Sequence, residues 1–219
     1  SHEAFFKKYW GQTFWFDAQS GPQTYQVCSD NLFSLDPNTG MTQWQYERGL
    51  ILNVSITVGD GKLFFLETTD PGVIAGESRR LAASDWKKSL HLVCLDQTTG
   101  NVLWDKTPEL EGGEPSMWLQ YAEGRLLLTG SRATNDSYYL YGFDPANGNL
   151  DWSKSHGWKA SHHGGNHQHP VMTGGYAYLE PHKYLLTTGA RTSNVMPGRS
   201  GCSTFVAAKN NLFFRGNPN

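Results

Sequence analysis

The sequence predicts an all-β fold, a β-propeller of four-stranded antiparallel blades, and three observations carry that expectation. A thirteen-residue segment recurs without gaps as LFSLDPNTGMTQW (32–44), LVCLDQTTGNVLW (92–104) and LYGFDPANGNLDW (140–152). A second element, a turn followed by an apolar strand, recurs as VGDGKLFFLET (58–68), YAEGRLLLTGS (121–131), MTGGYAYLEP (172–181) and AAKNNLFFRG (207–216). Composition agrees: 24 glycines and 13% aromatic residues against only 17% charged ones suit many short strands joined by tight turns.

The shared pattern is L-x-small-[LF]-D-x-x-[TN]-G-x-x-x-W. Apolar alternation before the aspartate reads as a strand. The carboxylates of Asp36, Asp96 and Asp144 can each accept from backbone N–H groups two or three residues on, and Gly40, Gly100 and Gly148 take the positive φ that a tight turn needs. A second strand then runs to Trp44, Trp104 or Trp152, so each copy is a β-hairpin. Cys94 stands where the sister copies have Ser34 and Gly142, so smallness is what the position demands and serine there should be tolerated. A degenerate earlier copy is FWFDAQSG (14–21), and a later one, KYLLTTGA (183–190), has lost both the Asp and the Trp.

The tryptophans are spaced by 60 and 48 residues, against about 40–50 for a four-stranded blade. The longer interval is explained by an insertion over 70–88 (DPGVIAGESRRLAASDWKK), an exposed loop with a short helix near Glu77–Ser84. The chain is therefore divided into a partial blade (1–50), a blade with the insertion (51–110), a blade (111–160), a blade with a histidine-rich loop (161–205) and the start of the next (206–219). No sustained 3.6-residue period supports a helical solenoid, and an immunoglobulin-like sandwich would not repeat its sequence.

The formal charge of −2 gives no basic face for nucleic acid. No run of 18 apolar residues provides a membrane span. Cys28, Cys94 and Cys202 are widely separated and form no CxxC pair, which leaves redox compartment and disulfide state open. GDGKL has the wrong spacing for a phosphate-binding loop. The opening SHEAFFKKYW does not look like a natural start, so a processed or trimmed chain is as much an expectation as a cytosolic one.

The motif residues resemble those of the tryptophan-docking, PQQ-type β-propellers, a superfamily that includes quinoprotein alcohol dehydrogenases and the BamB-like scaffold of the outer-membrane β-barrel assembly machinery. The resemblance spans roughly Asn31 to Asn217. It implies that Trp44, Trp104 and Trp152 each pack on the turn of the next blade, that rings close with seven or eight blades, and that this chain's four or so blades are completed by further blades of the same or another chain. It also implies what a quinone enzyme needs: a tryptophan platform, adjacent cysteines, a Ca²⁺ held by Glu and Asn oxygens, and an aspartate base. The sequence has no Cys-Cys pair and its motif aspartates belong to turns, so PQQ is not expected.

One stretch departs from the repeat grammar: SHGWKASHHGGNHQHP (155–170), followed by YLEPHKY (178–184). Six of eight histidines, His156, His162, His163, His167, His169 and His182, fall within it. His162, His163, His167 and His169, with Glu180 as carboxylate, are candidate ligands for a divalent metal. Tyr176, Tyr178 and Tyr184 would be companions if the loop were catalytic. Against this, Gly164-Gly165 and Pro170 mark a loop whose histidines can simply be exposed. Trp10, Trp15, Trp86, Trp118 and Trp158 read as core more readily than as stacking platforms.

The expected function is a non-catalytic binding or scaffold module with a protein or carbohydrate ligand, in the bacterial periplasm or outside the cell. The alternative is an enzyme, either a quinoprotein oxidoreductase or one using the His-rich loop over 156–182, for which no catalytic residue can be assigned.

Overall fold

A computed structural model describes residues 26–76, 80–81, 85, 88–113, 116–132, 137–157, 170–192, 205–208 and 211–213. Strands β1 (Gln26–Ser29), β2 (Leu32–Leu35) and β3 (Thr42–Tyr46) come first, and β2 and β3 form the first repeat hairpin, with Ser34 opposite Trp44. Next come β4 (Leu50–Leu52), β5 (Thr57–Gly59), β6 (Lys62–Thr68), β7 (Arg80–Leu81), β8 (Leu90–Asp96) and β9 (Val102–Lys106). β4 and β5 act as one interrupted strand along β6, pairing Leu50 with Thr68 and Thr57 with Phe64. Ser55 fills the interruption: its hydroxyl donates to the Leu52 carbonyl at 2.7 Å and accepts the Leu66 amide at 2.8 Å.

The third repeat makes a complete blade, β10 (Ser116–Ala122), β11 (Arg125–Arg132), β12 (Ser137–Phe143) and β13 (Leu150–Gly157), hydrogen-bonded in sequence order. Then follow β14 (Val171–Thr173), β15 (Tyr176–Leu179) and β16 (His182–Leu185) in one sheet, and β17 (Val206–Ala208) with β18 (Asn211–Phe213) in another. The turn-then-strand elements are two-residue hairpins with both central residues at positive φ: Asp60-Gly61, Glu123-Gly124 and Gly174-Gly175. That is the type I′ geometry whose twist matches its flanking strands.

Blades stack face to face, and that explains why strands such as KLFFLET and LHLVCLD are apolar at consecutive positions. Successive side chains point to opposite faces, and here both faces are covered. Phe64, Leu66, Leu92 and Cys94 pack with Met117, Leu119, Leu126 and Tyr141 of the next blade. Leu63, Phe65, Val93 and Leu95 pack the other way, with Tyr46, Leu32 and Trp44 of the preceding hairpin. Leu127, Tyr138, Leu140 and Trp152 meet Ala177, Leu179, Tyr184 and Leu186.

Two details differ from the sequence reading. The insertion's helix lies at Pro71–Ile74, because Asp70 caps it by accepting the Val73 amide at 3.0 Å and proline occupies its first turn. Within the expected helical stretch, Arg80–Leu81 instead form β7, paired with Gln26–Val27 of β1. β1 pairs with β4, matching Cys28 with Leu52, so residues ahead of the first repeat hairpin add a strand to the following sheet.

Candidate functional site

The motif aspartates are engaged by their own turns. Asp36 Oδ1 accepts the amides of Asn38 and Thr39, both at 2.9 Å. Asp96 Oδ1 accepts those of Thr98 and Thr99 at 2.9 and 2.8 Å, and Asp144 Oδ1 that of Ala146 at 2.9 Å. Such bonds favour the charged carboxylate: the Thr39 amide foremost holds Asp36 below its usual range, and the Thr99 amide does the same for Asp96. Gly40, Gly100 and Gly148 sit at φ +70°, +72° and +74°.

Each motif tryptophan reaches the following blade. The indole N–H of Trp44 donates to the Gln97 carbonyl at 3.0 Å, that of Trp104 to Pro145 at 3.2 Å, and that of Trp152 to Leu186 at 3.0 Å. The rings lie against the receiving turn's glycine. A Cβ on Gly100, Gly148 or Gly189 would come within 2.6, 2.6 or 2.5 Å of Trp44, Trp104 or Trp152. Thus 183–190, the copy without Asp or Trp, still receives an indole. The small position is cross-strand to the tryptophan in all three hairpins, Ser34 to Trp44, Cys94 to Trp104 and Gly142 to Trp152. At Gly142 a Cβ would stand 2.2 Å from the Trp152 ring.

Of the histidine-rich stretch, His162, His163, His167 and His169 lie outside the described residues, as do Trp10, Trp15, Trp86, Trp158 and Cys202. The flanking histidines are described. His156 lies on β13 and is buried between blades. Its Nε2–H donates to the Glu180 backbone carbonyl at 2.9 Å, and because a carbonyl can only accept, neutral His156 must receive the Tyr184 hydroxyl on Nδ1 at 2.7 Å. Desolvation foremost drives its pKa down to about 4, with the nearby charges of His182 and Arg191 adding to the effect. Both ring nitrogens of His156 are therefore committed. Its ring meets that of His182 edge-on, centroids 4.9 Å apart. Burial and Arg191 also lower His182. Lys183 Nζ stands 4.4 Å over the Tyr176 ring. Among the described residues, no group of three or more His, Cys, Asp or Glu is placed to hold a metal ion.

Cys28 and Cys94 are separate, buried thiols, and burial pushes the Cys94 thiol up to about 12.

One polar cluster had no sequence signal. Arg48, just after β3, pairs with Glu67 of β6 and Asp105 of β9, and Tyr46 donates to Glu67 Oε1 at 2.8 Å. His91 Nδ1 lies 2.8 Å from Asp105 Oδ1, and its Nε2 lies 3.1 Å from the Thr69 hydroxyl. Burial works against ionising Asp105, but hydrogen bonds from Arg48 and His91 hold it below its usual range. Glu67 is fully buried. The first repeat hairpin is thus clasped to the next blade by charge as well as by Trp44. Arg48 and Gly49 also line a small cavity of about 340 Å³ with Asp30, Asn31, Glu47 and Ile74.

The fold has relatives among solved structures. BamB from Moraxella catarrhalis aligns with a TM-score of 0.50 at 12% identity, covering 88% of this chain and 57% of that one. The quinohemoprotein alcohol dehydrogenase from Comamonas testosteroni aligns at 18% identity over 60% of this chain and 19% of that one, with a TM-score of 0.38. The chain therefore spans little more than half the length of the BamB structure it resembles. No curated protein matches its sequence. A family model described as outer membrane protein assembly factor BamB matches residues 29–188, the stretch that holds all three hairpins. The chain belongs to the BamB-like family of PQQ-type propeller repeats.

Proposed function

We propose that this chain is a scaffold module: a run of propeller blades that binds protein rather than transforming a substrate, working outside the cytoplasm of a bacterium. The observation that supports it best is the use of the repeat's chemical side chains. Asp36 and Asp96 spend their carboxylates on turn amides, Asp144 does likewise, and the three tryptophans spend their N–H groups on backbone carbonyls. What recurs in this chain builds blades. The family's name, an outer membrane assembly factor, fits that reading.

Fold alone leaves activity open, so the test addresses the enzyme directly. The purified chain is titrated with PQQ and Ca²⁺, followed by tryptophan quenching, and its metal content is measured. A scaffold gives no saturable quenching and no stoichiometric metal. PQQ retention in the micromolar range, or one equivalent of Zn, Ca, Cu or Fe, would overturn the proposal.

A further inference from the structure

Thr69, just past the end of β6, gives its hydroxyl to a base rather than to the backbone. Its Oγ1 lies 3.1 Å from His91 Nε2, and His91 is its hydrogen-bond partner among the described residues. Across the ring, His91 Nδ1 lies 2.8 Å from Asp105 Oδ1. A carboxylate only accepts, so Nδ1 carries the proton, and in the neutral ring Nε2 is left to receive the Thr69 O–H. Hydroxyl, imidazole and carboxylate therefore stand in line. That is the order in which a base takes a proton from a nucleophile while a carboxylate holds the base in place. Sheet register assembles the row, since β6 sets Glu67 opposite His91 and β9 sets Asp105 opposite Val93.

The row differs from the hydroxyls that merely hold the fold. Ser55 and Thr68 are fully buried and donate to the carbonyls of Leu52 and Lys88. Thr69, His91 and Asp105 are each half-buried, within reach of a dissolved reagent. Arg48 pairs with the second oxygen of Asp105 and, with His91, keeps that carboxylate ionised, the form that stabilises an imidazolium. The other hydroxyl–imidazole pair, Tyr184 with His156, has neither property: both residues are buried, and the second ring nitrogen donates to a neutral carbonyl. Room for a small reagent is close by. The cavity of about 340 Å³ is lined by Arg48, Gly49 and Ile74 among others. Carried one pair beyond Leu50 and Thr68, the β4–β6 register sets Gly49 opposite Thr69.

We propose that Thr69 is a covalent modification site, an activated hydroxyl that takes the acyl group of a small activated ester, with His91 as general base and Asp105 as the residue that positions it. Thr69 Oγ1 bonds to the acyl carbon, and the bond from that carbon to the leaving oxygen breaks. The proton passes from Oγ1 to His91 Nε2 and on to the leaving oxygen. The products are a threonine ester and a free alcohol or phenol, so no further reactant is required. The event is a single acylation of the chain, placed where Arg48 joins the first repeat hairpin to the next blade. It marks the module without making it a turnover enzyme, and it goes beyond the scaffold reading without depending on it.

The probe is p-nitrophenyl acetate, mixed with the full chain at mildly alkaline pH. Expected is a burst of p-nitrophenolate approaching one equivalent per chain, with the acetyl group mapped to Thr69 by peptide mass spectrometry. His91→Gln should slow the burst by about a hundredfold or more, the scale of a lost general base. Thr69→Val, which keeps the shape and removes the hydroxyl, should abolish it, and Thr69→Ser should retain it. Asp105→Asn should slow it, and Asp105→Glu should recover part of the rate, a rescue that a purely structural carboxylate would not give. Tyr184→Phe should leave it unchanged. Circular dichroism checks the fold of each variant; if His91→Gln folds poorly, Thr69→Val decides alone. Absence of a burst, acetylation confined to lysines and the N-terminus, or a burst that persists at the natural rate in Thr69→Val or His91→Gln overturns the proposal.

Discussion

Replacing Trp152 by alanine removes the most enclosed of the three seated indoles, and the structure sets the size of the effect. The side chain is 8% exposed and packs with Leu140, Tyr184 and Leu186. Its N–H is bonded to the Leu186 carbonyl, and both Gly142 and Gly189 are hollowed to admit the ring. A fully enclosed Trp→Ala change costs about 3–5 kcal/mol in lost transfer energy and residual cavity. The freed Leu186 carbonyl pushes the cost toward the upper end unless water reaches it. For a chain of this size that is a fall in Tm of roughly 6–20 °C. Trp104 and Trp44 are only half-buried, and Trp44's hydrogen bond lies in an exposed setting where Trp104's is partly buried. The same substitution should therefore cost about 2–3 kcal/mol at Trp104 and about 1–2 kcal/mol at Trp44. Thermal and urea unfolding followed by far-ultraviolet circular dichroism measures all three without relying on tryptophan emission. Stacked blades can unfold in stages, so loss of a single transition in Trp152→Ala also counts as the expected outcome. Equal effects at the three sites, or the largest at Trp44, would refute the seat-by-seat reasoning.

Burial also decides the other cases. Cys94 is fully buried in an apolar cluster and its thiol reaches only the adjacent Leu95 carbonyl, at 3.8 Å. Contrary to the expectation from its sister Ser34, Cys94→Ser should cost about 1–2 kcal/mol by urea unfolding, with Cys94→Ala clearly milder. Arg48→Ala strands the buried Glu67 with Tyr46 as its remaining partner and should cost about 3 kcal/mol; adding Glu67→Gln should restore part of that loss, and strict additivity would count against the clasp. His156 titrates near 4 in the folded chain against 6.5 ordinarily. Between those values the unfolded chain takes up a proton that the folded one refuses, so stability falls as pH drops from about 6.5 to about 4 and then levels. The contribution is about 3 kcal/mol at most. The difference in unfolding free energy between the natural chain and His156→Phe, measured across that range, should carry this slope; a flat difference would show that His156 does not set it.

What the sequence displayed was whatever is local. The Asp-to-amide turns, the glycines at positive φ and the paired hairpins each follow from residues within a dozen positions, so three aligned copies suffice to read them. The tryptophan contacts span 53, 41 and 34 residues, and only the likeness to a repeat family pointed toward them. The Arg48 clasp stayed hidden for the same reason. Its partners lie 19 and 57 positions away, and Glu67 looks like the polar end of an apolar strand rather than half of a buried pair. His156 misled in the opposite direction. Sitting at the head of a histidine-rich run it reads as loop, yet it ends a strand, and its burial follows from the period of two that turns it toward Tyr184.

The degenerate copy shows which part of the motif the fold cannot do without. In 183–190 the aspartate has become Leu185, yet the turn closes by the same backbone bonds, Gly189 N–H to the Leu185 carbonyl at 2.8 Å and Leu185 N–H to the Ala190 carbonyl at 2.9 Å. Trp152 still docks there. The carboxylate therefore reinforces a turn that the backbone already makes, at the modest net worth of an exposed hydrogen bond. The glycine has no such substitute. It must take φ +66° and leave room for an indole at once, and any side chain would fail one demand or both.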